Sequence, residues 1–124
     1  MDIPVITVHW SKPSPYGGAD ASPIPKRGGV YEILVDDSRV LERVFLGETD
    51  ELRRAFINHI AGRTRSVNLH ARMSQGEPYF RYWLCDTPSE RCEVAAALAD
   101  MHLYECGTDI HTGDIACVRV VEEE

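Results

Sequence analysis

Among the side chains in this chain of 124 residues that could do chemistry are its arginines. Between Arg53 and Arg81 lie six of them, Arg53, Arg54, Arg63, Arg65, Arg72 and Arg81, against the one acid Glu77, with His59 and His70 in addition. Guanidinium groups pair bidentately with phosphate oxygens, so a basic run of this kind suits a nucleic-acid backbone, with Arg63, Arg65 and Arg72 as its contacts. Lys26 and Arg27 stand just before Gly28-Gly29, where they could meet a phosphate too. The plainer explanation is that these arginines solvate an exposed loop and that Lys26 and Arg27 are ordinary loop charges. A formal net charge of −7 argues against binding DNA by bulk electrostatics alone. The charge is segregated, however: the middle is basic and the rest acidic, closing with Glu122, Glu123 and Glu124.

Thiols offer less. Cys85, Cys92, Cys106 and Cys117 form no CxxC pair and no zinc-ribbon spacing. Cys85 ends one strand-like segment and Cys117 lies in another, as expected of buried reduced thiols that behave as small hydrophobes. Cys92, His102, Cys106 and His111 could be imagined as a metal set, but their spacing is irregular.

The elements that must position any site centre on Gly28 to His59. Val30, Ile33, Leu34 and Val35 read as a strand, Asp36-Asp37 as a turn, and Val40, Leu41, Val44, Phe45 and Leu46 as a second strand. After Gly47 the period changes: Leu52, Ala55, Phe56, His59 and Ile60 recur at helical spacing. Thr49 supplies a capping hydroxyl, and Asp50 and Glu51 place negative charge at the positive helix end. The unit is strand, strand, helix.

Gly29-Val30-Tyr31, then Phe45-Leu46-Gly47 after a short hairpin, then Glu-Thr-Asp-Glu-Leu-Arg-Arg with His59 downstream, resembles the core of the GIY-YIG nuclease superfamily. The resemblance covers about half the chain if Glu93 is included, and it rests on the order and spacing of these pieces. It implies a site in which a tyrosine from each tripeptide, a helical arginine, often a histidine one turn later, and a distant metal-holding glutamate surround the scissile phosphate. Tyr31 matches the first tyrosine, His59 the helical histidine, and Glu93 the glutamate that holds a divalent metal, magnesium or manganese, if the domain is active. Two positions depart. Phe45 stands for the second tyrosine and has no hydroxyl, and Ala55 stands where the arginine is expected.

Removing one transition-state contact can cost about a hundredfold in rate or more, so two losses imply a crippled nuclease. Arg53 and Arg54 precede Ala55 by two residues and one. Each helical residue turns about 100°, so neither points where Ala55 points, although a long guanidinium could reach back into the site.

Flanking segments complete the expected fold. Residues 3 to 9 read as a strand with Pro4 near its start. The proline- and glycine-bearing stretch from Trp10 to Gly28 reads as an irregular connection. Gly62 should end the first helix, and Val67, Leu69 and Met73 support a short second one before Gly76. Tyr79 to Cys85 is aromatic-rich and expected to be a central strand, with Tyr79, Arg81 and Trp83 on one face and Phe80, Tyr82 and Leu84 on the other. Its aromatics could stack on bases or simply cover both faces of the sheet. Thr87, Pro88 and Glu90 mark a capped helix, with Ala95, Leu98, Met101 and His102 along one face and Glu93 in its second turn. Residues 115 to 121 read as a final strand.

At 44% hydrophobic, this length suits one domain spanning residues 1 to 124, with the family-like core at about 28 to 107. No apolar run approaches a membrane span and no secretory signal opens the chain, so a soluble cytoplasmic protein without membrane contact is expected. The expected fold is α/β and GIY-YIG nuclease-like: a small mixed sheet from the hairpin and the aromatic strand, flanked by helices, with extra N- and C-terminal strands. The leading functional expectation is a diverged, catalytically weak or inactive domain that binds nucleic acid, DNA foremost, or a nucleic-acid enzyme. The alternatives are an active metal-dependent DNA endonuclease using Tyr31 with Arg53 or Arg54, and a protein-interaction or self-associating domain that has left nucleic acid altogether.

Overall fold

The computed structural model describes residues 3–16, 20–37, 40–60, 67–110 and 118–123. It is a mixed α/β fold in which β3 (Gly29–Asp37), β4 (Val40–Thr49) and β5 (Glu77–Leu84) form an antiparallel core with β3 in the middle. The two-residue strands β2 (Ser14–Pro15) and β6 (Thr108–Asp109) extend it, giving the order β2-β5-β3-β4-β6 with β6 parallel to β4. The aromatic strand therefore flanks the centre rather than occupying it, because only β2 lies outside it. Its alternation is as expected: Phe80 packs with the cluster around Tyr31, whereas Trp83 packs against the cluster around Val30.

Strand pairing continues to Asp37 opposite Val40, so Asp36 and Asp37 are paired strand residues and not the turn. The register shifts once. Ile33 faces Phe45, but Leu34 faces Arg43, leaving Val44 as an extra residue in a β-bulge. Val44 and Phe45 thereby enter the same core cluster, and Arg43 is turned to the opposite face, beside Leu34.

Helices cover both faces. On one, Leu52, Ala55 and Phe56 of α1 (Leu52–Ile60) and Leu69 of α2 (Val67–Ser74) pack on Tyr31, Ile33, Val35, Phe45 and Phe80. On the other, Val94, Ala95 and Leu98 of α3 (Pro88–Met101) pack on Val30 and Leu46. Pro88 opens α3 with Thr87 as N-cap residue, yet the Thr87 side chain makes no capping hydrogen bond. Met101 is exposed rather than on the buried face, which consists of Arg91, Val94, Ala95 and Leu98.

The terminal strands do not extend the main sheet. β1 (Val5–His9) and β7 (Arg119–Glu123) pair with each other in parallel as a separate two-stranded sheet, and Val8 and Val120 join the α3-side core. The expected last strand began at residue 115; of it, residues 115–117, and with them Cys117, lie outside the described residues, as do Gly62, Arg63, Arg65 and His111. Among the described residues, no helix is long and apolar enough to cross a membrane.

Candidate functional site

Tyr31 and His59 meet because two elements aim them at one point. Tyr31 lies opposite Gly47 in the β3–β4 ladder, and its ring occupies the space that a Cβ at Gly47 would fill. His59 lies one helical turn beyond Ala55 in α1, on the face that buries Leu52 and Phe56. The helix is anchored at its start by the preceding loop. Backbone N–H groups of Leu52 and Arg53 donate to the carbonyls of Arg27 (2.8 Å) and Pro25 (3.1 Å), which satisfies donors that a helix N-terminus otherwise leaves open.

The Tyr31 hydroxyl is 2.9 Å from His59 Nε2, and both residues are buried. Phe45 packs against both rings, with centroids 6.3 Å from Tyr31 and 5.2 Å from His59, and Phe80 stacks on Tyr31 at 5.1 Å. Burial pushes the His59 pKa down to about 4, and the Asp109 charge only partly opposes this. Burial likewise raises the Tyr31 hydroxyl well above the ordinary tyrosine range, helped by the charges of Asp109 and Glu48. At neutral pH the pair is therefore a phenol and a neutral imidazole. If Tyr31 donates to Nε2, the imidazole proton sits on Nδ1, which is buried without a hydrogen-bond partner among the described residues.

The remaining expected residues are dispersed. Ala55 is 9% exposed and belongs to the same apolar cluster, so the position where the resemblance expects an arginine opens into core. Arg53 donates through Nε to the Ile24 carbonyl at 2.7 Å and through Nη2 to that of Ser22 at 3.2 Å. Arg54 is exposed and pairs with Glu51 and, at 3.9 Å, with Asp50. Both guanidinium groups thus point away from Tyr31 and His59. Glu93 is half-buried on α3, the helix of the opposite layer.

Among the described residues, no three His, Cys, Asp or Glu side chains are grouped to hold a metal. A lone carboxylate holds magnesium weakly without substrate phosphate, so the described donors do not fit a metal held by protein ligands alone.

Among the described residues, the basic side chains expected to meet phosphate are largely paired. Arg72 is buried, bonding Glu42 at 3.0 Å and Glu105 at 3.2 Å, and Arg27 bonds Asp86 at 2.7 Å. Lys26 is exposed.

Two buried ion-pair systems were not anticipated. Glu32, fully buried, accepts from Arg81 at 2.6 and 2.7 Å and from the Tyr104 hydroxyl, with Arg43 3.6 Å away. Glu48 pairs with Arg91 at 3.1 Å. The signal available in the sequence was a charge within an otherwise apolar strand, Glu32 among Val30 to Val35 and Arg81 among aromatics, because such a charge needs an opposite partner if buried. Asp109, whose charge reaches both Tyr31 and His59, carries no comparable signal in the sequence.

No family model, curated protein or solved structure matches this chain.

Proposed function

We propose that the chain is a diverged GIY-YIG-like domain that has lost the nuclease reaction and acts by binding. The closed Tyr31–His59 pair carries this reading. A phenol held above its usual pKa and a histidine held neutral share a proton with each other, under Phe45 and beside Ala55. Phosphodiester cleavage needs cationic groups aimed at the developing charge and access for the phosphate. Arg53 and Arg54, the candidates for that role, are engaged elsewhere.

Electrostatics favour a protein, which includes a nucleic-acid enzyme, over nucleic acid itself as the partner. Arg27, Arg54 and Arg72 are each neutralised by a carboxylate of the same chain, and the net charge of −7 repels phosphate.

The test is incubation with duplex, single-stranded and branched DNA and with RNA, in magnesium and in manganese. Intact substrates and no salt-sensitive retention are expected. Metal-dependent cleavage that disappears in Tyr31→Phe would return the chain to the nucleases. Retention that weakens steeply with salt would make nucleic acid the partner.

A further inference from the structure

β1 and β7 form a parallel sheet of two strands whose faces differ. Ile6, Val8, Val120 and Glu122 alternate onto the face that meets α3, where Val8 and Val120 are buried. Val5, Thr7, Arg119, Val121 and Glu123 alternate onto the other, where Val5 is 58% and Val121 44% exposed. Parallel strands normally lie inside larger, covered sheets, so this pair leaves an edge to fill. Its main-chain bonds show which edge. The Arg119 N–H donates to the Pro4 carbonyl at 2.8 Å and the Trp10 N–H donates to the Glu123 carbonyl at 2.9 Å, so Arg119, Val121 and Glu123 turn their main-chain groups toward β1. Val120 and Glu122 turn theirs the opposite way, where no strand pairs with β7 among the described residues.

An open edge is ordinarily protected by charges that repel a neighbouring copy. β7 carries opposite charges instead, placed evenly about one residue: Arg119 precedes Val121 and Glu123 follows it at the same spacing, all on the exposed face. A second β7 laid antiparallel about a two-fold axis at Val121 therefore sets each Arg119 opposite Glu123 of the second copy and Val121 opposite its own counterpart. A parallel partner in the same register would set like charges together. The ladder agrees with the side chains. Val120 exchanges both main-chain bonds with Glu122 of the second copy, which leaves Val121 and the charge pairs at the non-hydrogen-bonded positions, where side chains come closest. Arg119 is exposed and forms no ion pair among the described residues. Glu123 meets His9 through Oε2 at 3.2 Å with both side chains more than half exposed, and a carboxylate accepts at both oxygens, so this contact leaves room for an arginine. The Glu122 carboxylate is held on the other face by Arg43, the Trp10 indole N–H and His102, which neutralises it away from the exposed charges.

We propose that the open edge of β7 takes a second copy of this chain, the two strands pairing antiparallel about Val121 into one four-stranded sheet in the order β1-β7-β7-β1. A two-fold contact of this kind closes on itself. The surface belongs to a different sheet from the Tyr31–His59 pair, so the proposal stands whether or not the chain cleaves nucleic acid.

Sedimentation equilibrium of the full chain should show the mass rising from 13.9 kDa toward twice that value, with a Kd on the order of 10 to 100 μM for a contact smaller than a standard interface. Arg119→Glu and Glu123→Arg are at exposed positions, compatible with an intact fold. Each replaces two attractive contacts by two repulsive ones and should weaken the dimer about tenfold or more. The double variant Arg119→Glu/Glu123→Arg exchanges the charges and should recover the parent affinity to within about threefold. Amide hydrogen exchange locates the contact. In concentrated protein the Val120 and Glu122 amides should exchange about tenfold more slowly than in dilute protein, whereas those of Val121 and Glu123, already turned to β1, should change little. A chain still monomeric at about 1 mM leaves the edge to a strand of another protein and overturns the proposal. So does an association that neither single charge reversal weakens, one that the double variant fails to restore, or a dimer in which Val120 and Glu122 exchange as fast as in the monomer.

Discussion

The Tyr31 hydroxyl and His59 Nε2 are 2.9 Å apart inside an apolar shell, and among the described residues no guanidinium shares that shell. A histidine kept neutral in the fold ties stability to pH. Its folded pKa of about 4 lies below the ordinary 6.5, so on acidification the unfolded chain takes up the proton first. The contribution is complete above about pH 6.5, falls as pH drops from there toward 4, and levels off below. It is worth roughly 3 kcal/mol at most. Urea unfolding from pH 7.5 to pH 4 should show this decline, and His59→Phe should flatten it. A variant as steep as the parent would place the titrating group elsewhere.

Gly47 is required by its neighbour across the ladder. A Cβ there would overlap the Cζ and hydroxyl oxygen of Tyr31, whose ring is packed between Phe45, Phe80 and His59 and has little room to retreat. Gly47→Ala should destabilise the fold by about 1 to 3 kcal/mol, the usual cost of overpacking. It should also move the His59 ring resonances, because the Tyr31–His59 bond must lengthen. Destabilisation without a change at His59 would mean that the strand had shifted instead of the ring.

The hairpin, the three helices and the aromatic strand were legible because each rests on local chemistry: β-branched runs, helical spacing of Leu52, Ala55, Phe56 and His59, and Pro88 at a helix start. The meeting of Tyr31 and His59 was legible for the same reason, since one strand and one helix from a single contiguous unit deliver them. What could not be read was long-range. The pairing of β1 with β7 joins the two ends of the chain, and Glu32 finds Arg81 and Tyr104 at separations of 49 and 72 residues. The bulge at Val44 is a single-residue register choice, made by packing on both faces at once, and it has no local signature in Glu42-Arg43-Val44-Phe45.

Arg72 should behave as a structural residue. Its guanidinium joins α2 to Glu42 of β4 and to Glu105 beyond α3, and it is 8% exposed. Arg72→Ala leaves one half-exposed and one exposed carboxylate without their partner and opens a gap under α2. A loss of about 1 to 3 kcal/mol in chemical denaturation is expected, more than a surface ion pair would give. Full stability combined with weakened nucleic-acid retention would assign Arg72 to a phosphate.

Glu32 and Arg81 offer the clearest measure of what the buried network contributes. Glu32→Gln keeps the shape of the side chain but leaves Arg81 and nearby Arg43 with less negative charge to face, in a place where water cannot compensate. Breaking a buried pair from one side typically costs about 3 to 5 kcal/mol, because the remaining charge keeps its desolvation penalty. Arg81→Met should cost a similar amount and also removes the cation over Trp10. The two side chains are in direct contact, so their effects should not add. The double variant should be more stable than the sum of the singles predicts by about 1 to 3 kcal/mol, since neither charge is then left alone. A double-mutant cycle in urea denaturation measures this difference directly. Simple additivity would mean that Glu32 is held mainly by Tyr104 and Arg43, and that Arg81 is placed by Trp10.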